Sequence, residues 1–321
     1  MKKRNTDLQD EHSEKILSIV KEIKSLHTPL DFASKNFDDI IEGFENKHSF
    51  ESLRVNAEYW KTQAYRNVLI KLRLIVENNF RYVETLNVLA TTRYVFEVLV
   101  WLRLLKSDHD FGLVFYWRLI KDQLDHHKKL REKLEREILF FQSLNDEESK
   151  LRKNTIDRLL KDNKKPSSDD FSKAFSFVEE EIDRRARRYF SAYINQAKIN
   201  GYEYQAHLIE TKVMPDLINN IKKTEADQDE FNKNCPSVAL KKCKAYWNWK
   251  DHAKTVGMDE AYDFIYSYSS RLLHAAPSSI LTDQKNLEPD EVVLFLDYTY
   301  VSMLDVLDLF EMSVTDKRLI N

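Results

Sequence analysis

Glycine and proline are scarce in this chain. They occur 4 and 6 times among 321 residues, whereas average usage would give about 22 and 16. Sheet proteins need frequent tight turns, and tight turns use the backbone dihedral angles that glycine and proline supply. A chain with so few of them cannot make many such turns. The sequence therefore predicts an all-α fold, a helical bundle built from long helices.

Charge and cysteine content narrow the functional classes. The 50 basic and 53 acidic residues nearly balance, so nucleic-acid binding would need a local basic patch. Cys235 and Cys243 are too few for a disulfide framework, and their spacing is outside the usual zinc motifs. No phosphate-binding glycine loop is present. We therefore expect free thiols, no metal and no cofactor.

The hydrophobic pattern gives no targeting or membrane segment. The basic N-terminus lacks the apolar run of a signal peptide. The most hydrophobic stretch, Tyr94 to Leu105, contains Glu97 and Arg103 and is too short to span a bilayer. We expect a cytoplasmic protein with no contact to membranes.

Residues 79–106 carry the densest apolar pattern in the chain. Between Val95 and Leu105 the apolar residues leave almost no polar helix face. A helix that is apolar all round is normally surrounded by other helices. We predict that this is the central helix and that Leu99 and Leu102 are fully buried.

Two narrow apolar stripes flank a polar loop in the middle of the chain. The first covers residues 113–144, and the second runs from Phe171 to Tyr193 and ends at Asn200-Gly201. Pro166 lies in the loop, at 161–170. The pattern predicts a long, protruding antiparallel hairpin of coiled-coil type, inserted at 115–201 into a core domain of residues 1–114 and 202–321. Such a hairpin is a candidate surface for a partner protein or a second copy of the chain.

The sequence of the last third of the chain predicts three helices. The first covers residues 238–256 and ends at Gly257. The second begins at Asp259 as its cap and ends at His274, before Pro277. The third begins at Pro289 and continues to about residue 313.

Two groups of polar residues on these helices are candidates for chemistry. Arg93 and Glu97 are four residues apart, so they share one face of the central helix. This pair is either part of a pocket wall or a structural ion pair. Polar side chains also recur at every fourth residue of the second C-terminal helix, with Arg271 one position aside: Tyr262, Tyr266, Ser270 and His274. They suit acid–base chemistry or anion binding, or they form an ordinary aromatic helix contact.

Three further motifs are weaker. Glu45-x-x-His48 is half of a di-iron motif, and its second half is missing. His109-Asp110 is found in metal-dependent phosphohydrolases, but a single His-Asp pair has little specificity. The basic run Arg184 to Arg188 follows the acidic run Glu179 to Glu181, so we expect the charges to neutralise each other along one solvated helix.

The C-terminal motifs resemble a known family. They are Trp247-Asn-Trp-Lys250, Ala253 to Gly257, and Tyr262-x-x-x-Tyr266-x-x-x-Ser270-x-x-x-His274-Ala-Ala-Pro277. Together with Thr92-Arg93-x-x-x-Glu97, they resemble the bacterial domain of unknown function 5677 family over residues 60–110 and 240–310. That family is similar in general plan to HEPN-type helical domains, many of which are ribonucleases of bacterial defence and toxin systems.

The resemblance implies a metal-independent ribonuclease acting on RNA. His274 would be the acid–base, Arg271 or Arg93 would hold a phosphate, and Glu97 would orient them. Tyr262, Tyr266 and Ser270 would bind the substrate. HEPN nucleases place four to six residues between their Arg and His, whereas Arg271 and His274 have two between them. The alternative interpretation is therefore a non-catalytic helical module for protein interaction or oligomerisation.

Overall fold

In the computed structural model, residues 2–81, 83–162, 165–273 and 287–318 are described, and all regular elements among them are helical. The predicted all-α class is therefore confirmed. The helices are α1 (Lys2–Ser25), α2 (His27–Lys47), α3 (Phe50–Arg54), α4 (Ala57–Asn78), α5 (Thr85–Ser107), α6 (Phe111–Asp162), α7 (Ser168–Ala186), α8 (Ile194–Asn200), α9 (Tyr202–Leu208), a π-helical turn (Ile209–Val213), α10 (Met214–Asn234), α11 (Ser237–Lys244), α12 (Trp249–Thr255), α13 (Asp259–Ala261), a second π-helical turn (Tyr262–Tyr266), α14 (Ser267–Leu273) and α15 (Pro289–Arg318).

The chain divides into two compact units. The first unit contains Met1–Arg118 and Phe231–Asn321, and the second contains Leu119–Glu230. The second unit includes residues 202–230, which we had placed in the core domain.

Helix α5 is the centre of the first unit. It packs against α4, α12, the second π-helical turn, α14 and α15. Leu99 and Leu102 are buried as predicted, with 2% and 0% of their surface exposed. Burial of one such side chain stabilises a fold by about 1.5–3 kcal/mol.

The ends of α5 differ from the predicted 79–106. The helix begins only at Thr85, because the chain first turns after α4. The side-chain amide of Asn87, in the first turn of α5, donates a hydrogen bond back to the carbonyl of Asn79, at the end of α4. The connection has to reverse the chain direction, and an apolar pattern does not encode that reversal.

The second unit has its own apolar core, in which α6 and α7 run antiparallel. Phe140 stacks on Tyr189 with ring centroids 4.2 Å apart. Further toward the end of α6, Glu147 accepts a hydrogen bond from Arg185 at 2.7 Å. A capping box between Ser167 and Asp170 begins α7.

Helix α7 is shorter than the second stripe suggested. It ends at Ala186 rather than at Asn200, and α8 begins only at Ile194. The intervening residues include Tyr189 and Phe190, and aromatic residues have only moderate helix propensity. The apolar spacing continues through this break because Tyr189 still packs against α6.

The predicted helix 238–256 is two helices, α11 and α12. Asn248 begins the second, because its side-chain oxygen accepts a hydrogen bond from the backbone N–H of Lys250 at 3.0 Å. Gly257 ends it with a φ of 69°, in the left-handed conformation that favours glycine. Asp259 is not the cap of the next helix, since Met258 occupies that position and Asp259 lies in the first turn.

Candidate functional site

Arg93 makes a polar contact between α5 and the second π-helical turn. Its Nε donates to Glu97 Oε1 at 3.0 Å, one turn along the same helix. Its Nη2 donates to the hydroxyl of Tyr266 at 2.9 Å. The guanidinium carbon also lies 4.3 Å from the centroid of the Tyr266 ring. The guanidinium is thus held by a carboxylate, a hydroxyl and a π face at once.

The second π-helical turn presents two stacked tyrosines to α5. The rings of Tyr262 and Tyr266 lie 4.8 Å apart and nearly parallel. Phe96 packs against both, with centroid distances of 6.3 and 6.1 Å. Burial raises the pKa of Tyr262, and the neighbouring Tyr266 adds to that shift. Tyr262 is therefore a neutral hydrogen-bonding group at physiological pH.

The structure brings together only part of the predicted site. Arg93, Glu97, Tyr262 and Tyr266 form one cluster. Ser270 is half-buried on α14, and Arg271 is exposed and forms no ion pair within the described residues. His274, the predicted acid–base, lies outside the described residues.

A cavity of about 300 Å³ opens beside Glu97, between α4, α5, α12 and the start of α6. Its lining is mainly apolar and aromatic, with Glu97, Asn67 and Lys71 as polar groups. The other lining residues are Ala64, Val68, Tyr94, Val98, Trp101, Leu102, Leu105, Phe115 and Trp249. Burial raises the pKa of Tyr94, and the negative charge of Glu97 raises it further. A concave, mainly apolar site with a few polar groups has the usual composition of a small-ligand pocket.

One wall of the cavity is extended by a second aromatic group. Trp101 stacks on Trp247 at 4.2 Å. Trp247 also contacts the guanidinium of Arg118 and the rings of His252 and Trp249. Burial lowers the pKa of His252, and the positive charge of Arg118 lowers it further. At neutral pH His252 is therefore uncharged.

Sequence reasoning missed the cavity. Trp101 belongs to the apolar run that predicted the central helix, and Asn67 and Lys71 had no role in the predicted site. Trp249 is part of the motif Trp247-Asn-Trp-Lys250, but that motif does not indicate a cavity.

The weaker motifs have structural partners. Glu45 accepts a hydrogen bond from Tyr59 at 2.9 Å. Asp110 shares the ammonium of Lys242 with Asp108, at 2.8 and 2.7 Å. In the basic run, Arg184 and Arg185 pair with Glu181, as expected for charges neutralised along one helix.

Within the ranges given above, no group of three or more His, Cys, Asp or Glu side chains is placed to hold a metal ion. None of the helices in those ranges combines the length and hydrophobicity needed to cross a membrane.

Comparison of the chain with protein-family models, with curated proteins and with solved structures found no match.

Proposed function

We propose that the protein is a HEPN-like, metal-independent ribonuclease of a bacterial defence or toxin system, whose site is built around Arg93. The observation that carries the proposal is the contact between Arg93 and Tyr266. It ties the helix that bears Arg93 and Glu97 to the helical segment that leads, through Ser270 and Arg271, to His274. These are the residues for which the family resemblance implies a role.

The contacts of Arg93 orient its guanidinium for binding a phosphate. A guanidinium has five N–H donors, and the hydrogen bonds to Glu97 and Tyr266 leave others available. The carboxylate and the tyrosine ring fix the plane of the guanidinium, so little side-chain entropy is lost when a phosphate binds. The Arg93 side chain is one-quarter exposed, which gives solvent and substrate access to it.

The proposed reaction is an internal transesterification of RNA. A base takes the proton of a 2′-hydroxyl, whose oxygen then forms a bond to the adjacent phosphorus. The bond from phosphorus to the 5′-oxygen breaks, and that oxygen receives a proton. His274 serves as acid–base, Arg93 or Arg271 stabilises the charge on the phosphoryl oxygens, and Glu97 keeps Arg93 in position. Tyr262, Tyr266 and Ser270 contact the substrate.

The test compares RNA cleavage and thermal melting for the wild type and for His274→Ala, Arg93→Ala and Arg103→Ala, in the presence of a chelator. Arg103 is a matched control, since it also lies on α5 and pairs with a carboxylate, that of Asp305, at 3.1 Å. We expect the first two variants to lose at least about a hundredfold in rate, as for the loss of one transition-state donor. Arg103→Ala should keep its activity.

Two results would count against the ribonuclease. One is a wild type that neither cleaves RNA nor slows bacterial growth when expressed. The other is a His274→Ala protein with a lowered melting temperature and an activity that falls only in proportion. The second result would make His274 a core histidine whose removal leaves hydrogen-bond partners unsatisfied.

A second candidate function, a protein-interaction or oligomerisation module, is favoured by exposed apolar side chains in the second unit. Phe177, Phe190 and Ile199 are 70%, 89% and 84% exposed. Large exposed apolar residues are frequent at protein interfaces. Light scattering on the wild type and on a Phe190→Ser, Ile199→Ser variant would test this, and a wild type that is monomeric at all concentrations would remove self-association.

A further inference from the structure

We infer that the cavity between α4, α5 and α12 binds one unstacked base of a single-stranded RNA, whose neighbouring nucleotides follow the lysine-rich segment from Lys241 to Lys254. The choice of RNA as ligand rests on the proposed ribonuclease function. The inference adds a binding subsite beside Arg93 whose lining, apart from Glu97, consists of residues that the proposed reaction does not use.

The size of the cavity suits a single ring system. Its volume, about 300 Å³, is at the lower end of the range for small-ligand sites, about 300–1,000 Å³. A complete dinucleotide cofactor needs more space than this. A base with its sugar outside, in the opening, does not.

The lining matches a nucleobase in its aromatic character. Trp101, Trp249, Tyr94 and Phe115 all contribute to the wall. Stacking of one base on an aromatic side chain changes the dissociation constant by about 5- to 150-fold and tolerates any base. Trp249 lies at the first position of α12, where the cap at Asn248 fixes the helix start.

The polar groups of the lining match the edges of a base. Glu97 uses its Oε1 for Arg93, so its second oxygen is available to accept from a ring or exocyclic N–H. The side-chain amide of Asn67 donates a hydrogen bond to the backbone carbonyl of Gln63. The side-chain oxygen of Asn67 is therefore left as an acceptor. Lys71 is exposed and forms no ion pair with any described residue. Its ammonium is therefore available for the phosphate at the opening of the cavity.

The path of the strand is indicated by the segment that contains Trp249. Tyr246 is 90% exposed, three positions before the cavity wall. Around it Lys241, Lys244 and Lys254 are exposed and without a described carboxylate partner. Aromatic side chains interleaved with lysines are the usual surface for single-stranded nucleic acid. This segment also supplies the local basic patch that a chain of net charge −3 needs for RNA binding.

The experiment measures binding without cleavage. The probe is a fluorescein-labelled oligonucleotide of about ten 2′-O-methyl ribonucleotides, which has no 2′-hydroxyl to attack the phosphate. Fluorescence anisotropy gives its dissociation constant for the wild type, Trp249→Ala, Val68→Phe, Tyr246→Ala and Phe190→Ala. Val68 lines the cavity, so a phenylalanine there fills it. Phe190 is as exposed as Tyr246 but belongs to the second unit, so Phe190→Ala is the matched control.

We expect Trp249→Ala and Val68→Phe to weaken binding by about 5- to 150-fold. Val68→Phe should do so with a melting temperature that is unchanged or raised, which separates a blocked site from a lost fold. Tyr246→Ala should weaken binding and Phe190→Ala should not. The duplex form of the probe should bind less tightly, because its bases are stacked, and so should adenosine monophosphate.

The inference is overturned if Val68→Phe binds the probe as tightly as the wild type, or if the duplex binds equally well. Adenosine monophosphate binding as tightly as the oligonucleotide would overturn the strand path and make the cavity a nucleotide site. Cavity-dependent binding by a wild type that cleaves no RNA would end the ribonuclease proposal alone. Unchanged RNA cleavage by Trp249→Ala and Val68→Phe would end the subsite alone.

Discussion

The hydroxyl of Thr92 on α5 lies 2.9 Å from the hydroxyl of Thr299 on α15, and both side chains are buried. Each hydroxyl also lies within hydrogen-bond distance of a carbonyl in its own helix, that of Val88 for Thr92 and that of Phe295 for Thr299. Because each hydroxyl has one proton, one threonine donates to the other, and the accepting threonine donates to its own carbonyl. This pair is a buried polar contact in an interface that also contains the more exposed pair of Arg103 and Asp305. It fixes the register of α15 along α5 because apolar contacts alone would tolerate sliding.

A double-mutant cycle at this pair should show that the two losses of stability are not additive. Thr92→Val and Thr299→Val each keep the side-chain shape and should lower the free energy of unfolding by about 0.5–1.5 kcal/mol. The double variant should lose less than the sum, since neither hydroxyl remains to miss its partner. Thr224→Val is the control, because that buried hydroxyl bonds to its own helix. Additive losses in urea unfolding would contradict the coupling.

Truncation in the core of the first unit should be costly. Leu99→Ala or Leu102→Ala should reduce the free energy of unfolding by about 2–5 kcal/mol, because each leaves a cavity in a packed centre. Leu294→Ala is the control, at a position on α15 with 50% exposure. A loss below about 1 kcal/mol at Leu99 or Leu102 would mean that α5 is not the packing centre.

Gly112 and Gly43 should respond to alanine with opposite signs. A Cβ on Gly112 would lie 2.0 Å from the carbonyl oxygen of Ala57, a backbone atom that no side-chain rotation can move. Gly112→Ala should therefore destabilise by about 1–3 kcal/mol despite the better helix propensity of alanine. A Cβ on Gly43, inside α2, meets nothing within 4 Å. Gly43→Ala should stabilise by about 0.5–1 kcal/mol in the same thermal-melting series.

His252 should make stability depend on pH once the pH falls below its unfolded-state pKa, about 6.5. Its folded-state pKa is lowered, first by burial and then by Arg118. A lowered histidine pKa favours the neutral ring, so the stabilisation is complete above the unfolded-state pKa, about 6.5. It is lost as the pH falls toward the lowered folded-state value. His252→Phe keeps a ring against Trp247 without a titrating group.

The measurement is the difference in melting temperature between wild type and His252→Phe at several pH values. The wild type should lose stability relative to the variant as the pH is lowered. Parallel curves would indicate that His252 titrates alike in both states. A direct NMR titration of the imidazole resonances provides a second readout.

The first unit should fold without the second. Tyr116 and Phe231 lie near the two chain ends of the break and meet edge to face at 5.6 Å. A flexible linker of a few residues can therefore join Arg118 to Phe231, with little loop-closure entropy. Circular dichroism should show a helical remainder with cooperative melting.

A shorter deletion, 122–198, which lies within the hairpin predicted at 115–201, should behave worse. It would leave Tyr202, Ala206 and Ile209 without the apolar cluster in which they are buried. If this shorter deletion melts cooperatively and the removal of Leu119–Glu230 aggregates, the division into these two units is wrong.

The fold could be predicted where the information is local. The apolar run of α5 and the scarcity of glycine and proline were sufficient for the class and for the central helix. Helix α2 was not predicted, although Leu30, Ala33, Phe37 and Ile41 have helical spacing and are buried. The short loops that interrupt 238–256 and end α7 depend on tertiary packing and caps.

The candidate site, too, could be predicted only where its contacts are local in the sequence. Arg93 and Glu97 are one helical turn apart, so their contact could be read from spacing. The contact from Arg93 to Tyr266 joins residues 173 positions apart, and no periodicity encodes it. The cavity depends on how α4, α5 and α12 fail to close completely, so Trp101 and Trp249 were indistinguishable from core residues in the sequence.

The π-helical turn at Tyr262–Tyr266 has a consequence for how this protein tolerates length changes. A π turn holds one more residue than the α turn it replaces, and one residue corresponds to about 100° of helix rotation. Deleting a single residue there would preserve a continuous helix and would still turn α14 by that angle. Ser269 is fully buried. The rotation would move a residue from another face of α14 into its position. Single-residue deletions at this turn should therefore be less well tolerated than most substitutions in α14.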